Sequence, residues 1–353
     1  MNDVAIPYDL DALPLLDTVL WSYRLFLGRN PESLEEISRH VATHLSFNEI
    51  RQRFLQSQEF DNRVIKPKKI KIDKTLLDNF PPYNGPGVDG SFYDFIGTRT
   101  RCSYLPAMYA GASGIVEGPP GTEQFGLHEP AEWEGTLRSV LEAKSRFVAV
   151  ELGAGWGPWL VAGARAAQRR GIHEIHLAGV EGASSHYDFM LQHFRDNGLD
   201  PASYLLFNAV AGVHDGVARF PKLAHPSSNW GAEASYDQEQ NLGQFDEVES
   251  ISIATLLGKL PQVDLLHCDI QGAEADVLLA SGDLLSERVS RIVVGTHGRT
   301  IEARLMEFFS TNNWILEHES ACRFSQDVSG TLQLAADGVQ VWRNARPQQH
   351  IES

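Results

Sequence analysis

The sequence predicts an α/β fold: a doubly wound, mostly parallel sheet with a C-terminal antiparallel hairpin, preceded by a small all-α domain. Three observations carry this. The apolar runs FVAVELG, IHLAGVEG, YLLFNAVAG, VDLLHCDIQ and SRIVVGTHG recur after Pro130, with helical patterns between most of them. Strands and helices alternating at this spacing imply parallel βα units with ligands at the carboxyl ends of the strands. At the chain's end NNWILEHES and TLQLAADGVQVWR read as a final strand pair, with Asp337-Gly338 as a hairpin turn signal. Near the start, Leu20, Tyr23, Leu27 and later Ile50, Phe54 and Leu55 fall at helical spacing.

Composition bounds the answer further. A chain of 353 residues is long enough for one large α/β domain and something smaller beside it. Its 42% hydrophobic and 22% charged content is that of a globular protein, and no run approaches the ~18 apolar residues of a membrane span. The first residues are acidic rather than basic, so no signal peptide is expected and a cytoplasmic protein is. Cys102, Cys268 and Cys322 lack CxxC spacing and cannot form a disulfide framework. A formal charge of −16 argues against nucleic acid as a partner. The lysines between Lys66 and Lys74 read as a solvated linker.

Three regions are expected. Residues 1–65 form helices: Gly28 closes the first, Asn30-Pro31 opens a turn, and Ser46 with Glu49 caps a helix to about Phe60. Residues 66–130 are rich in Pro, Gly and aromatics without regular period, and read as a connecting region that folds over the site. Residues 131–345 carry the alternating strands and helices.

The chemistry concentrates at strand ends. In Glu151-Leu152-Gly153-Ala154-Gly155-Trp156-Gly157 an apolar strand enters a glycine turn that lets the backbone approach a ligand. The following helix points its positive amino end at the same place. The spacing is not Gly-x-Gly-x-x-Gly, so the dinucleotide fingerprint fails. Glu151 would repel a pyrophosphate yet suits the ammonium of a bound amino acid. Glu181, 30 residues on, ends the second strand, where an acid can accept both hydroxyls of a ribose. Asn208-Ala209-Val210 is read as the end of the third strand, where an adenine would lie.

Asp269 closes the fourth apolar strand just before Gly272, Ala273 and Glu274 start a helix, and so would face substrate. A helix cap is the plainer role for such an acid. His267 sits deeper on the same strand face, as a core histidine. His297 closes the fifth strand in GTHG, near Asp269 if the sheet order is the usual one. Histidine is suited to accept a proton near neutral pH, so Asp269 and His297 are the candidate catalytic pair. Asp269 and Glu274 are acids, but no adjacent acid pair follows the fifth strand, so no metal is assigned and metal dependence stays open.

VELGAGWG, VEG, NAVAG, LLHCDIQGAE and VVGTHG, in this order over roughly 200 residues, resemble the FkbM family of S-adenosylmethionine-dependent methyltransferases. The resemblance implies a Rossmann-like class I methyltransferase fold with S-adenosylmethionine as cofactor. Glu151, Gly153, Ala154 and Gly155 would hold its methionine part, Glu181 its ribose, and Asn208, Ala209 and Val210 would border its adenine. Asp269 would face the acceptor. GTHG differs from the acidic residue many members carry there. Members typically methylate hydroxyls of sugars or polyketide-type metabolites, which implies O-methylation of a sugar or glycan in surface polysaccharide biosynthesis. A small-molecule O- or N-methyltransferase and a catalytically inactive scaffold are the rivals. YRLFLGRNPE with FLQSQEF resembles a small helical domain of bacterial surface-glycan and secretion proteins. It implies a protein partner docking through residues 1–65, and a homo-oligomer is left open.

Overall fold

The computed structural model describes residues 72–120, 128–235, 245–326 and 330–346, together with 19, 22–23, 31, 33–41, 49–50 and 53–54. The chain divides into two units, Met1–Ile70 and Lys71–Ser353. The described residues of the first include helix α1 (Leu34–Val41). Val19, Tyr23, Ile37, Ile50 and Phe54 are buried, and Tyr23 meets Phe54 edge-on at 4.8 Å. Ser46 of the expected capping box and the helix end near Phe60 lie outside the described residues, as do Leu20, Leu27, Gly28 and Asn30.

The second unit opens with helix α2 (Lys74–Leu77) and an antiparallel ribbon of β1 (Ser91–Tyr93) and β2 (Arg99–Arg101). Its main sheet has nine strands in the order β10-β13-β9-β8-β3-β4-β5-β7-β6. These are β3 (Arg146–Leu152), β4 (Glu174–Glu181), β5 (Leu205–Gly212), β6 (Gly216–Pro221), β7 (Phe245–Ser252), β8 (Val263–Cys268), β9 (Val289–Thr296), β10 (Trp314–Ser320) and β13 (Gly338–Asn344). Strands β3, β4, β5, β7, β8 and β9 are parallel, and β6, β10 and β13 close the edges antiparallel. Around the sheet lie α3 (Pro130–Glu142), α4 (Pro158–Arg169), α5 (Ser184–Asp196), α6 (Ile253–Leu257), α7 (Glu274–Leu279), α8 (Gly282–Arg288) and α9 (Arg299–Thr311). This is the doubly wound, Rossmann-like arrangement the sequence implies. From β3 the chain winds one way through β4, β5 and β7, and the other way through β8 and β9. The ligand crevice of such a sheet lies at that reversal, over the carboxyl ends of β3 and β8.

Fully buried strands explain why the central runs are continuously apolar. Val148, Val150, Leu152, Leu266, Cys268, Ile292 and Val294 belong to one core. The Cys268 thiol is pushed well above its usual range by burial, consistent with a structural role. Gly157, at φ 71° in the left-handed region, precedes Pro158 at the first position of α4, so the helix starts abruptly behind the turn.

Three sequence expectations change. β6 and β7 were not read, because their outer positions carry Arg219, Asp246, Glu247 and Glu249 rather than an apolar run. The third strand does not end at Val210: β5 pairs with β4 up to Glu181↔Asn208, then continues to Gly212 against β7. Asp337-Gly338 is not a hairpin turn either. The preceding β12 (Leu332–Ala336) pairs with β11 (Arg323–Gln326) in a separate ribbon, whereas β13 pairs with β10 and β9. The antiparallel strand pair is present, but the ribbon is inserted at its connection.

The stretch expected to be irregular packs with the sheet. Phe80, Phe92 and Phe95 are buried. The β2 backbone is tied to the end of α5 by Arg99 N donating to Asn197 Oδ1 at 2.8 Å, and Arg101 forms an ion pair with Asp196. Asp94 accepts from the amides of Ile96 and Thr98, and burial pushes its carboxyl up to about 6. A chain beginning at Ile70 is therefore expected to express in soluble form and melt in one cooperative transition. Insoluble protein would show that residues 1–70 are needed to complete this core. Among the described residues no helix is long and apolar enough to cross a membrane.

Candidate active site

The glycine turn closes on the ends of three neighbouring strands. Gly153 and Ala154 both donate their amides to Val180 O at 3.0 Å, and Asp269 N donates to Leu152 O at 2.9 Å. Gly153 has φ 71°, and a Cβ there would meet Asp269 O at 1.8 Å. Only a residue without a side chain lets the turn after β3 and the loop after β8 meet this closely. The glycine pattern thus answers a backbone contact as well as ligand access.

Glu181 reaches across the turn. Its Oε2 accepts from Gly155 N at 2.8 Å and its Oε1 from Ala183 N at 2.7 Å, which leaves lone pairs on both oxygens for hydroxyl donors. His186 Nδ1 lies 3.7 Å from Oε1, and Trp230 stacks on the His186 ring at 3.9 Å. Trp230 also stands over Gly155, where a Cβ would come within 3.3 Å of it, and meets Trp156 edge-on at 4.6 Å. Asn208 does not reach the cavity. Its Nδ2 donates to Glu181 O at 2.9 Å and Gly182 O at 3.2 Å, so it braces the turn after β4, while Ala209 and Val210 line the cavity.

Glu151 is buried and accepts from Leu160 N at 3.0 Å and Trp159 N at 3.4 Å, at the amino end of α4. Burial pushes its carboxyl up to about 7, against the pull of His267 and those amides. His267 is no bland core residue. Its Nε2 lies 3.0 Å from Glu132 Oε1 on α3 and its Nδ1 4.0 Å from Glu151 Oε1. Burial opposes a charge on this ring, but the Glu132 hydrogen bond and the carboxylates around it win and hold it above the usual range. Glu132 was invisible in the sequence because its partner lies 135 residues away.

Asp269 and His297 come together as the strand order suggested, because β8 and β9 are neighbours. His297 Nε2 lies 3.4 Å from Asp269 Oδ1 and 3.8 Å from Asp337 Oδ1, and Nδ1 lies 2.8 Å from Glu274 Oε1. Gln271 donates to Asp269 Oδ1 at 2.8 Å from a left-handed backbone, φ 56°, which is strained for a residue with a side chain. Burial pushes Asp269 up to about 6, against the pull of His297 and His267. His297 differs from the neutral base expected of it. Burial opposes its charge, yet the Glu274 hydrogen bond and the carboxylates of Asp269, Glu274 and Asp337 lift it to about 9. Those carboxylates favour the protonated ring and so weaken His297 as a proton acceptor.

One cavity of about 1350 Å³ is lined by Gly153, Ala154, Gly155, Glu151, Glu181, Trp230, His267, Asp269 and Asp337 among others. It exceeds the roughly 300–1,000 Å³ of a common small-ligand pocket, so a cofactor and an acceptor fit together. Among the described lining residues none is lysine or arginine. Trp230, Glu132, His186 and Asp337 are the lining residues sequence reasoning missed, each carried on a segment whose place only the fold sets.

The Methyltransferase FkbM domain matches residues 172–322. A protein of Jannaschia sp. (strain CCS1) described as "Putative methyltransferase" is 33% identical over 275 residues, spanning 76% of this chain and 97% of its own length. Among solved structures, precorrin-6y C5,15-methyltransferase from Geobacter metallireducens GS-15 is similar over 63% of this chain and 91% of its own, at 9% identity and a TM-score of 0.36. TrmK of M. capricolum, solved with S-adenosyl-homocysteine, is similar over 62% of this chain and 71% of its own, at 9% identity and a TM-score of 0.31. With the glycine turn, the strand-end acids and a relative matched over nearly its whole length, the chain belongs to the FkbM family of methyltransferases.

Proposed function

We propose that the protein is an S-adenosylmethionine-dependent O-methyltransferase acting on a hydroxyl of a sugar or glycan, in bacterial surface polysaccharide biosynthesis. The observation that carries the cofactor is the charge of the cavity. Glu132, Glu151, Glu181, Asp269 and Asp337 reach it and no lysine or arginine does, among the described residues. Such walls repel a dinucleotide pyrophosphate and suit a nucleoside that carries a sulfonium and an ammonium. The residues present fit that group: Glu181 keeps free lone pairs beside Gly155 for ribose hydroxyls, and the glycine turn leaves room that side chains would fill. The same walls suit a neutral polyol acceptor.

When bound, the cofactor supplies an electrophilic methyl on a positive sulfur. The protein's part is alignment and proton transfer. The acceptor hydroxyl would lie against Asp269, which would take its proton as the hydroxyl accepts the methyl group. Holding the acceptor beside the cofactor would supply much of the rate, and the carboxylate would add proton transfer. His297, with Nε2 3.4 Å from Asp269 Oδ1, keeps Asp269 in place.

Calorimetry tests this reading. S-adenosylhomocysteine is expected to bind and raise the melting temperature, and Glu181→Ala to weaken binding by about 1–3 kcal/mol, the scale of a lost charge-assisted hydrogen bond. Binding of NADH with no response to S-adenosylhomocysteine would overturn it. Transfer of labelled methyl to glycan extracts rather than to amines checks the acceptor.

A further inference from the structure

We propose that His297, Asp269 and Asp337 form a binding site for a divalent metal ion at the acceptor end of the cavity, with Glu274 as the carboxylate that orients the histidine. This rests on the catalytic reading of Asp269 and adds a ligand to that site.

Oxygen and nitrogen atoms of Asp269, Glu274 and His297 lie within 4.8 Å of one another. Acids alone would not make this a site. The second observation is His297 Nε2, a buried atom without a hydrogen-bond partner among the described residues, on a side chain only 8% exposed. It points between Asp269 Oδ1 and Asp337 Oδ1, at 3.4 and 3.8 Å, outside hydrogen-bond geometry with either. Cation ligands about 2.0–2.2 Å from a common centre stand roughly 3–3.5 Å apart. These separations fit a shared cation with little movement, since Asp337 is 62% exposed and free to adjust.

The arrangement around the ring fits as well. Glu274 is fully buried and its Oε1 already accepts from His297 Nδ1 at 2.8 Å, Ile270 N at 3.2 Å and Gly272 N at 3.0 Å. It is therefore committed as an acceptor. A divalent cation here would displace the Nε2 proton, and the Glu274 carboxylate on Nδ1 then fixes the tautomer with the Nε2 lone pair toward the metal. Asp269 and Asp337 both line the cavity, so a cation held between them would be within reach of an acceptor that entered it. One nitrogen and two carboxylates suit manganese, iron or zinc better than calcium. An open position there would take a hydroxyl oxygen and hold it beside Asp269.

The test uses the full chain, stripped of metal by a chelator and titrated with Mn2+, with free Mn2+ read by electron paramagnetic resonance. One site is expected. Asp337→Asn, at an exposed position that should not disturb folding, is expected to weaken it at least about tenfold. His297→Gln should abolish it, and Asp283→Asn, a surface control, should leave it unchanged. The proposal is overturned if the unaltered chain takes up no Mn2+ at millimolar concentration, or if Asp337→Asn and His297→Gln bind it as the unaltered chain does. S-adenosylhomocysteine calorimetry on the same samples keeps the questions separate. Cofactor binding without Mn2+ binding sinks the metal site alone, whereas Mn2+ binding without cofactor binding sinks the cofactor reading alone.

Discussion

Asp269→Asn is expected to lower turnover on the true acceptor by about 10²–10⁴-fold, the usual share of proton transfer in catalysis, with S-adenosylhomocysteine affinity little changed. The asparagine keeps the size and the contact with Gln271, so the fold and the close approach of Gly153 to the Asp269 carbonyl survive. What is lost is a negative oxygen at the acceptor end of the cavity. Glu181, proposed to take the ribose, is untouched, and this separates a turnover effect from a binding effect. Single-turnover rates with saturating cofactor would measure it. Near-normal turnover in this variant would mean that Asp269 serves the loop's structure and that another group takes the proton.

The second large effect is expected at Gly153. An alanine there would sit at φ 71° in the left-handed region, at about 1–2 kcal/mol for a residue with a side chain, and would drive its methyl into the Asp269 carbonyl. Backbone cannot yield as a side chain can, so overpacking adds roughly 1–3 kcal/mol or more. Gly153→Ala should therefore lose about 2–5 kcal/mol of stability, read as a melting point lowered by several degrees. Gly155→Ala is the comparison. Its Cβ would stand 3.3 Å from the Trp230 ring, a side chain able to shift, so its loss should be smaller and fall mainly on cofactor binding. Equal melting points for the two variants would refute the backbone-contact account of the first glycine.

The family and the outline of the site were legible because their signals are local. A strand, a glycine turn and an acid at the strand's end are consecutive in the chain, so VELGAG and VEG stand out without knowledge of neighbours. The pairing of Asp269 with His297 followed from one further assumption, that β8 and β9 are adjacent, and they are.

Other features were hidden for stateable reasons. The edge strand β6 and its neighbour β7 carry charged residues on their open side and lack the apolar run that marks a central strand. Asp337-Gly338 has the composition of a hairpin turn, but whether two strands pair is settled by what each finds across the sheet, and β13 finds β9 and β10. Protonation could not be read either. A histidine after a strand is neutral or charged according to its neighbours, and Glu274, Asp269 and Asp337 meet around His297 only once β8, β9 and the β12–β13 connection are assembled.

By itself, the sequence determined the family and the apolar runs that become β3, β4, β5, β8 and β9, because periodicity and turn chemistry act within a few residues of one another. Only the tertiary structure decided that Glu132 faces His267, that Trp230 covers Gly155, and that three carboxylates surround one imidazole. Those contacts join segments 23 to 135 residues apart, and the energy of a buried charge depends on what the whole fold places beside it.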